Sequence, residues 1–274
     1  MKASMSIWSF PGDYSLEQVA DLAAAAGFDG VELAVSETGR LGLDSSRAEA
    51  EKVRALFESK GLGIANFANG MGWAAHAIST DEAVHAKAKR IFTKALELAA
   101  GLGADCLLVV PGAVSQDMPY DLAYNRTVEV FKSWGDIAAE YGVTIGLENV
   151  WNKFMLSPIE TKQLIEDIDH DFVKIWFDVG NILQFGFPEQ WIRILGDKIK
   201  MIHVKDFKTS VGNITGFCSL LEGDVNWPAV REALIGIGYT GWLSAELGQY
   251  PHTKERLAFD TAGALKAIIE GKLV

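Results

Sequence analysis

Residues 141–154 read YGVTIGLENVWNKF. The run Val143-Thr144-Ile145-Gly146-Leu147 is short and apolar, the signature of a buried strand. It closes on Glu148, with Asn149 directly behind it. A carboxylate at the end of a buried strand is costly unless a cation or a set of donors pairs with it. Two questions follow: which sheet buries this strand, and what faces its acid.

Working outward, short apolar runs alternate with longer amphipathic ones in eight rounds. The strands are expected at Ala3–Ser9, Gly30–Val35, Gly63–Asn69, Cys106–Pro111, Thr144–Val150, Val173–Val179, Ile199–Asp206 and Trp242–Leu247. The helices are expected at Leu16–Ala26, Arg47–Lys60, Asp81–Ala100, Asp121–Tyr141, Pro158–Ile168, Glu189–Leu195, Pro228–Ile237 and Lys254–Glu270. Ser15-Leu16-Glu17-Gln18 and Ser157-Pro158-Ile159-Glu160 read as capping boxes, the second with proline at the first helical position. Ala26-Gly27-Phe28-Asp29-Gly30 and Ile237-Gly238-Tyr239-Thr240-Gly241 are near copies. In each, glycine ends a helix in the left-handed region and an aromatic packs back on the last turn.

Alternating strands and helices imply a parallel sheet. Eight rounds in 274 residues fit an α/β fold of the (β/α)8 TIM-barrel type, expected as one domain over residues 1–274. An open doubly wound sheet would carry a glycine-rich phosphate turn after its first strand; Trp8-Ser9-Phe10-Pro11-Gly12 is not that fingerprint.

The composition is ordinary for a globular protein, 49% hydrophobic and 22% charged. A net charge of −11 argues against a nucleic-acid partner, which would select a basic stripe. Cys106 and Cys218 make no disulfide framework, and Cys106 reads as a small core residue. No apolar stretch approaches the ~18 residues of a membrane span, and the first residues turn polar too soon for a signal peptide. A cytoplasmic protein with no membrane partner is the expectation.

Each of the last four strands ends on a metal-competent side chain: Glu148, Asp178, His203 and Glu246. These are C-terminal strand ends, where barrels of this type place their chemistry. Alternation puts Trp242, Ser244 and Glu246 on one face, and Met201, His203 and Lys205 on the same side of their strand. The intervening Leu243, Ala245, Ile202 and Val204 face the helices. Three carboxylates and an imidazole converging on one point repel without a cation and form a plausible site with one. The oxygen-rich set points to a single divalent ion, Mn2+ first, with Mg2+, Co2+ or Zn2+ as alternatives. With an ion bound, the three acids leave the site near −1, so an anionic substrate group is expected away from it.

The segments GLENVWNKF, FDVGN, HVKDF and LLEGDVNWPAV, with GYTGWLSAEL, resemble the sugar-phosphate isomerase/epimerase group of the xylose-isomerase-like barrels, among them hexulose-6-phosphate isomerases and L-ribulose-5-phosphate 3-epimerases. The resemblance implies one divalent metal on Glu148, Asp178, His203 and Glu246. It implies that Glu148 and Glu246 double as acid and base in proton transfer through a metal-stabilised enediolate of a ketose or ketose phosphate. Homodimers or homotetramers are a fair expectation for the class. Ketose 3-epimerases of the group carry histidine where this chain has Asn181, and arginine where it has Thr209. Their strand-five loop reads Asn-Arg-Phe-Glu, here Asn152-Lys153-Phe154-Met155.

Substrate contacts are expected from Asn181, from Lys205, Lys208 and Lys153 as phosphate or oxyanion partners, and from Trp8 with Phe10, Trp73 and Trp151 as an aromatic wall. Glu32 is either a substrate contact or the partner of a lysine inside the barrel. His76, His85, His170 and His252 read as surface or satisfied histidines. The alternative functions are an inosose-type dehydratase on the same metal site, an apurinic-site endonuclease, which the single well-placed histidine disfavours, and a non-catalytic sugar-binding barrel.

Overall fold

The computed structural model describes residues 1–37 and 39–273. Eight parallel strands close into a barrel: β1 (Lys2–Ser6), β2 (Gly30–Val35), β3 (Gly63–Asn69), β4 (Cys106–Val109), β5 (Thr144–Glu148), β6 (Val173–Asp178), β7 (Ile199–Val204) and β10 (Trp242–Ala245). The barrel closes where β1 pairs with β10, from Lys2 against Trp242 to Met5 against Ala245. The two remaining strands, β8 (Asp206–Phe207) and β9 (Phe217–Cys218), form a small antiparallel ribbon beyond β7. The helices are α1 (Leu16–Ala26), α2 (Arg47–Ser59), α3 (Glu82–Leu102), α4 (Tyr120–Tyr141), α5 (Pro158–Ile168), α6 (Val179–Ile182), α7 (Pro188–Leu195), α8 (Trp227–Gly236) and α9 (Arg256–Glu270). Among the described residues, no helix is long and apolar enough to cross a membrane.

The local signals act as their chemistry dictates. Ser15 and Gln18 form a full capping box on α1. On α5 only half of the expected box exists. Ser157 Oγ accepts from the Glu160 amide at 3.2 Å, but the Glu160 carboxylate accepts from the Leu156 amide and from the Tyr120 hydroxyl instead. Gly27 (φ 88°) and Gly238 (φ 72°) both sit in the left-handed region, and the amides of Phe28 and Tyr239 donate back to Ala23 and Leu234.

Two packing layers follow from strand alternation. Leu243, Ala245, Ile202 and Val204 join the large core between strands and helices, as expected, while Trp176, Met201, Cys106, Leu108 and Ala68 pack inside the barrel. The interior holds two indoles because glycines face them. A Cβ on Gly30 would lie 2.8 Å from the Trp242 ring and 2.5 Å from the Gly63 carbonyl oxygen, and one on Gly146 would lie 3.0 Å from both Trp176 and Cys106. This is why an apolar strand such as β5 carries glycine in its middle.

Several strands stop short of their expected ends. After Ser6 the chain enters a 3-10 turn, and after Val204 it leaves the barrel, so that Asp206 starts the ribbon rather than ending β7. Asp206 is fully buried and its carboxylate accepts from the amides of Phe207, Leu221 and Val225 and from the Trp227 indole. Four donors on one carboxylate compensate its burial and tie the excursion between β7 and α8 to the barrel rim.

Candidate metal centre

Four neighbouring strands, in the order β5, β6, β7, β10, carry the acidic cluster at their C-terminal ends. Glu148 ends β5 and Asp178 ends β6. His203 lies on β7, in register with Asp178 on one side and Ser244 on the other. Glu246 follows β10 directly, its amide donating to the Val204 carbonyl at 3.1 Å. One donor atom from each of Glu148, Asp178, His203 and Glu246 lies within 4.8 Å of all the others. From His203 Nδ1 the distances are 3.0 Å to Glu148 Oε1, 3.9 Å to Asp178 Oδ2 and 4.0 Å to Glu246 Oε2.

The other face of the imidazole is also engaged. His203 Nε2 lies 2.8 Å from Glu32 Oε2, and both side chains are wholly buried. Glu32 accepts from Nε2 and so directs Nδ1 at the three carboxylates, as the outer partner of a ligating histidine does. Glu32 therefore sits beneath the cluster. It makes neither of its expected contacts: it does not line the cavity, and its partner inside the barrel is a histidine, not a lysine.

Asn149, the residue behind Glu148 in the opening stretch, fixes the geometry. Its Oδ1 accepts from the Asp178 amide at 2.8 Å and its Nδ2 donates to the Asp178 carbonyl at 2.9 Å. This two-point clasp holds the ends of β5 and β6 together. Asp178 Oδ1 in turn accepts from the Asn181 amide at 2.8 Å and caps α6.

These residues suit a small cation. Burial pushes the Glu148 carboxyl up to about 7, with His203 acting against it. Asp178 is also raised by burial, against the pull of Lys205. For His203, burial favours the neutral ring, but Glu32 and Glu148 on either side outweigh it and hold its pKa well above the usual histidine value. Glu246, whose carboxylate is partly open to solvent, is lowered: Lys205 and His203 overcome its burial. Lys205 Nζ contacts Glu246 Oε2 and lies 3.0 Å from Asp178 Oδ2. The latter contact is out of hydrogen-bonding geometry, so this buried oxygen accepts no hydrogen bond. Three carboxylates, one of them with a buried oxygen that accepts no hydrogen bond, and one oriented imidazole fit a divalent ion.

Glu148 and Glu246 line a cavity of about 730 Å³, with Asp178 and His203 buried beside them, and its walls are mainly aromatic and aliphatic, among them Trp8, Trp73, Trp151, Ile214 and Phe217. Trp8 and Trp73 line it, whereas Phe10 is buried and faces a separate, smaller cavity. Asn181 lines it, but its Nδ2 donates to the Asn149 carbonyl at 2.9 Å. Lys205 lines it with its ammonium engaged by two acids. Lys153 and Lys208 are exposed on loops and do not line it. Of the other histidines, His85 meets the Ala77 carbonyl and His170 meets Asp136; His76 and His252 do not line the cavity either.

With the barrel and the cluster in place, the kinship is clear. The chain belongs to the xylose isomerase-like TIM barrel family, whose model matches residues 20–268. It is 30% identical over 236 residues to SgbU of Escherichia coli K12, with 82% of this chain and 81% of that protein covered. The name of SgbU carries a provisional assignment as an L-ribulose-5-phosphate 3-epimerase, and epimerases are isomerases, the class expected from the sequence. It is 24% identical over 155 residues to an inosose dehydratase of Lactiplantibacillus plantarum, covering 50% of this chain and 52% of that one. Among solved structures, that of the IolI protein with a bound zinc atom superposes with a TM-score of 0.84 at 18% identity, over 99% of both chains.

Proposed function

We propose that this chain is a metal-dependent isomerase or epimerase of a ketose or ketose phosphate. The observation that carries the reading is the convergence of four ligand-type side chains, two of which, Glu148 and Glu246, line an aromatic-walled cavity. A divalent ion bound there would supply Lewis-acid polarisation of a carbonyl oxygen and its neighbouring hydroxyl.

The chain's own groups account for the proton transfer. Glu148 and Glu246 stand at the C-terminal ends of the outer two of the four strands, with Asp178 and His203 on the two strands between them, and both glutamates line the cavity. Two carboxylates so placed address a seated substrate from different sides. One removes the proton from the carbon beside the carbonyl, and the other returns one. Return to the same carbon from the opposite side gives an epimer; return to the former carbonyl carbon, with the hydroxyl proton moved from the neighbouring oxygen to the former carbonyl oxygen, gives the aldose–ketose isomer. Trp8, Trp73, Trp151 and Phe217 flank the space for the substrate, with Trp8 and Trp73 at its solvent-exposed edge.

The test is NMR of a ketose and ketose-phosphate panel in D2O with the Mn2+-loaded protein. Exchange of the hydrogen beside the carbonyl is expected. Glu148→Gln and Glu246→Gln should each lower it by about 10²–10⁴-fold, the usual contribution of a general acid or base. Undiminished exchange in either variant contradicts the two-glutamate scheme. The inosose dehydratase relative supports a second reading, elimination of water at the same site; growth of an enone or diketone absorbance, with no epimer formed, would establish it.

A further inference from the structure

We infer that the cavity takes an uncharged ketose and not a phosphate ester. This narrows the substrate class of the proposed isomerase and rests on that reading. It departs from the name of SgbU, a relative whose assigned substrate is a phosphate, and from the expectation that three lysines serve as anion partners.

A phosphate dianion needs a cation, an array of free backbone amides, or the open end of a helix. Among the described residues, Lys205 is the sole lysine or arginine lining the cavity. Its ammonium touches Glu246 and lies 3.0 Å from Asp178 Oδ2 and 5.2 Å from the centre of the Phe217 ring. Lys153 and Lys208 point to solvent outside the cavity. Arg40, behind Trp8, donates to the Pro11 and Tyr14 carbonyls and lines the separate smaller cavity. The helix α6, which starts at the site directly after Asp178, is a single turn whose amide at Asn181 already donates to the Asp178 carboxylate.

The balance of charge agrees. Glu148, Asp178 and Glu246, with Glu32 beneath them, bring together four carboxylates, which carry four negative charges when ionised, and Lys205 brings one positive. A divalent ion adds two more, and with a neutral imidazole one negative charge is left. An added dianion meets net repulsion there. The walls offer the complementary chemistry: Trp8, Trp73, Trp151 and Phe217 present ring faces and edges that suit the C–H faces of a neutral sugar. The polar groups are gathered on the floor, where hydroxyl and carbonyl oxygens would sit.

The experiment pairs each free ketose with its own terminal phosphate ester, D-fructose with fructose 6-phosphate and D-ribulose with ribulose 5-phosphate, on the Mn2+-loaded protein. Deuterium exchange beside the carbonyl is read by NMR. Binding is read separately from the fluorescence of the cavity tryptophans. Free ketoses are expected to exchange with kcat/KM at least about 100-fold above their esters, and to perturb the fluorescence at concentrations where the esters do not, as like-charge repulsion in a low-dielectric site requires. Preferred exchange and binding of the esters overturns the inference and leaves the isomerase reading standing. Exchange on neither class, with no fluorescence response, overturns both.

Discussion

Glu32 and His203 form a buried pair, with Oε2 2.8 Å from Nε2 and neither side chain exposed. Their elements, β2 and β7, are not neighbours in the barrel, so the contact spans its interior. The pair turns the imidazole so that Nδ1 faces Glu148 at 3.0 Å, and it makes a residue from the second strand part of a site whose other members come from the last four.

Replacing that acid tests its role. Glu32→Gln keeps the size of the side chain but removes the charge that supports the imidazole. Affinity for Mn2+, measured by calorimetry, should fall about 10–100-fold, as is usual when the outer partner of a metal-binding histidine is lost. Unchanged affinity would show that Glu32 only fills space.

The metal-free protein should weaken as pH rises through neutrality. Glu148 is raised by burial to about 7, amid His203, Glu246 and Asp178, and His203 is raised too. A group whose folded pKa lies above its unfolded value stabilises the fold at low pH and loses that contribution as pH passes the folded pKa. In EDTA, wild-type Tm should therefore drop more between pH 6 and pH 8 than that of Glu148→Gln. With Mn2+ the trend should reverse, because the ion competes with protons for the same carboxylate. Parallel pH profiles for the two proteins would contradict the assignment.

Asp206→Asn should loosen the wall that carries Ile214 and Phe217. The new amide nitrogen cannot accept, so at least one of the four donors now on the carboxylate loses its partner. A cost of about 1–3 kcal/mol is expected for an unsatisfied buried donor. Urea unfolding checks it, and KM for the true substrate should rise more than kcat falls. A variant as stable as wild type would show that the ribbon is held by other contacts.

Much of this was legible in the sequence, for a physical reason. Eight alternations of short apolar and longer amphipathic runs have few folds open to them, and four acids or imidazoles at successive strand ends fall together once the barrel closes. The rest depends on tertiary contacts that no periodicity encodes. Glu32 lies mid-strand, and only the closed barrel shows that it meets a histidine from a strand on the far side. Asn149 falls inside the expected strand Thr144–Val150, yet it lies just past the end of β5, where its side-chain amide clasps the backbone of Asp178. Lys205 read as an anion partner because it closely follows His203 in an otherwise acidic chain; in space its neighbours are two carboxylates. The strand ends were overestimated where the chain stays apolar after leaving the ladder, as at Ile7 after β1 and Val110 after β4.

The most direct measurement is anomalous diffraction from a crystal soaked in Mn2+. One peak is predicted, about 2.0–2.3 Å from donor atoms of Glu148, Asp178, His203 and Glu246. No peak there, with Lys205 still seated against Asp178 and Glu246, would contradict the account.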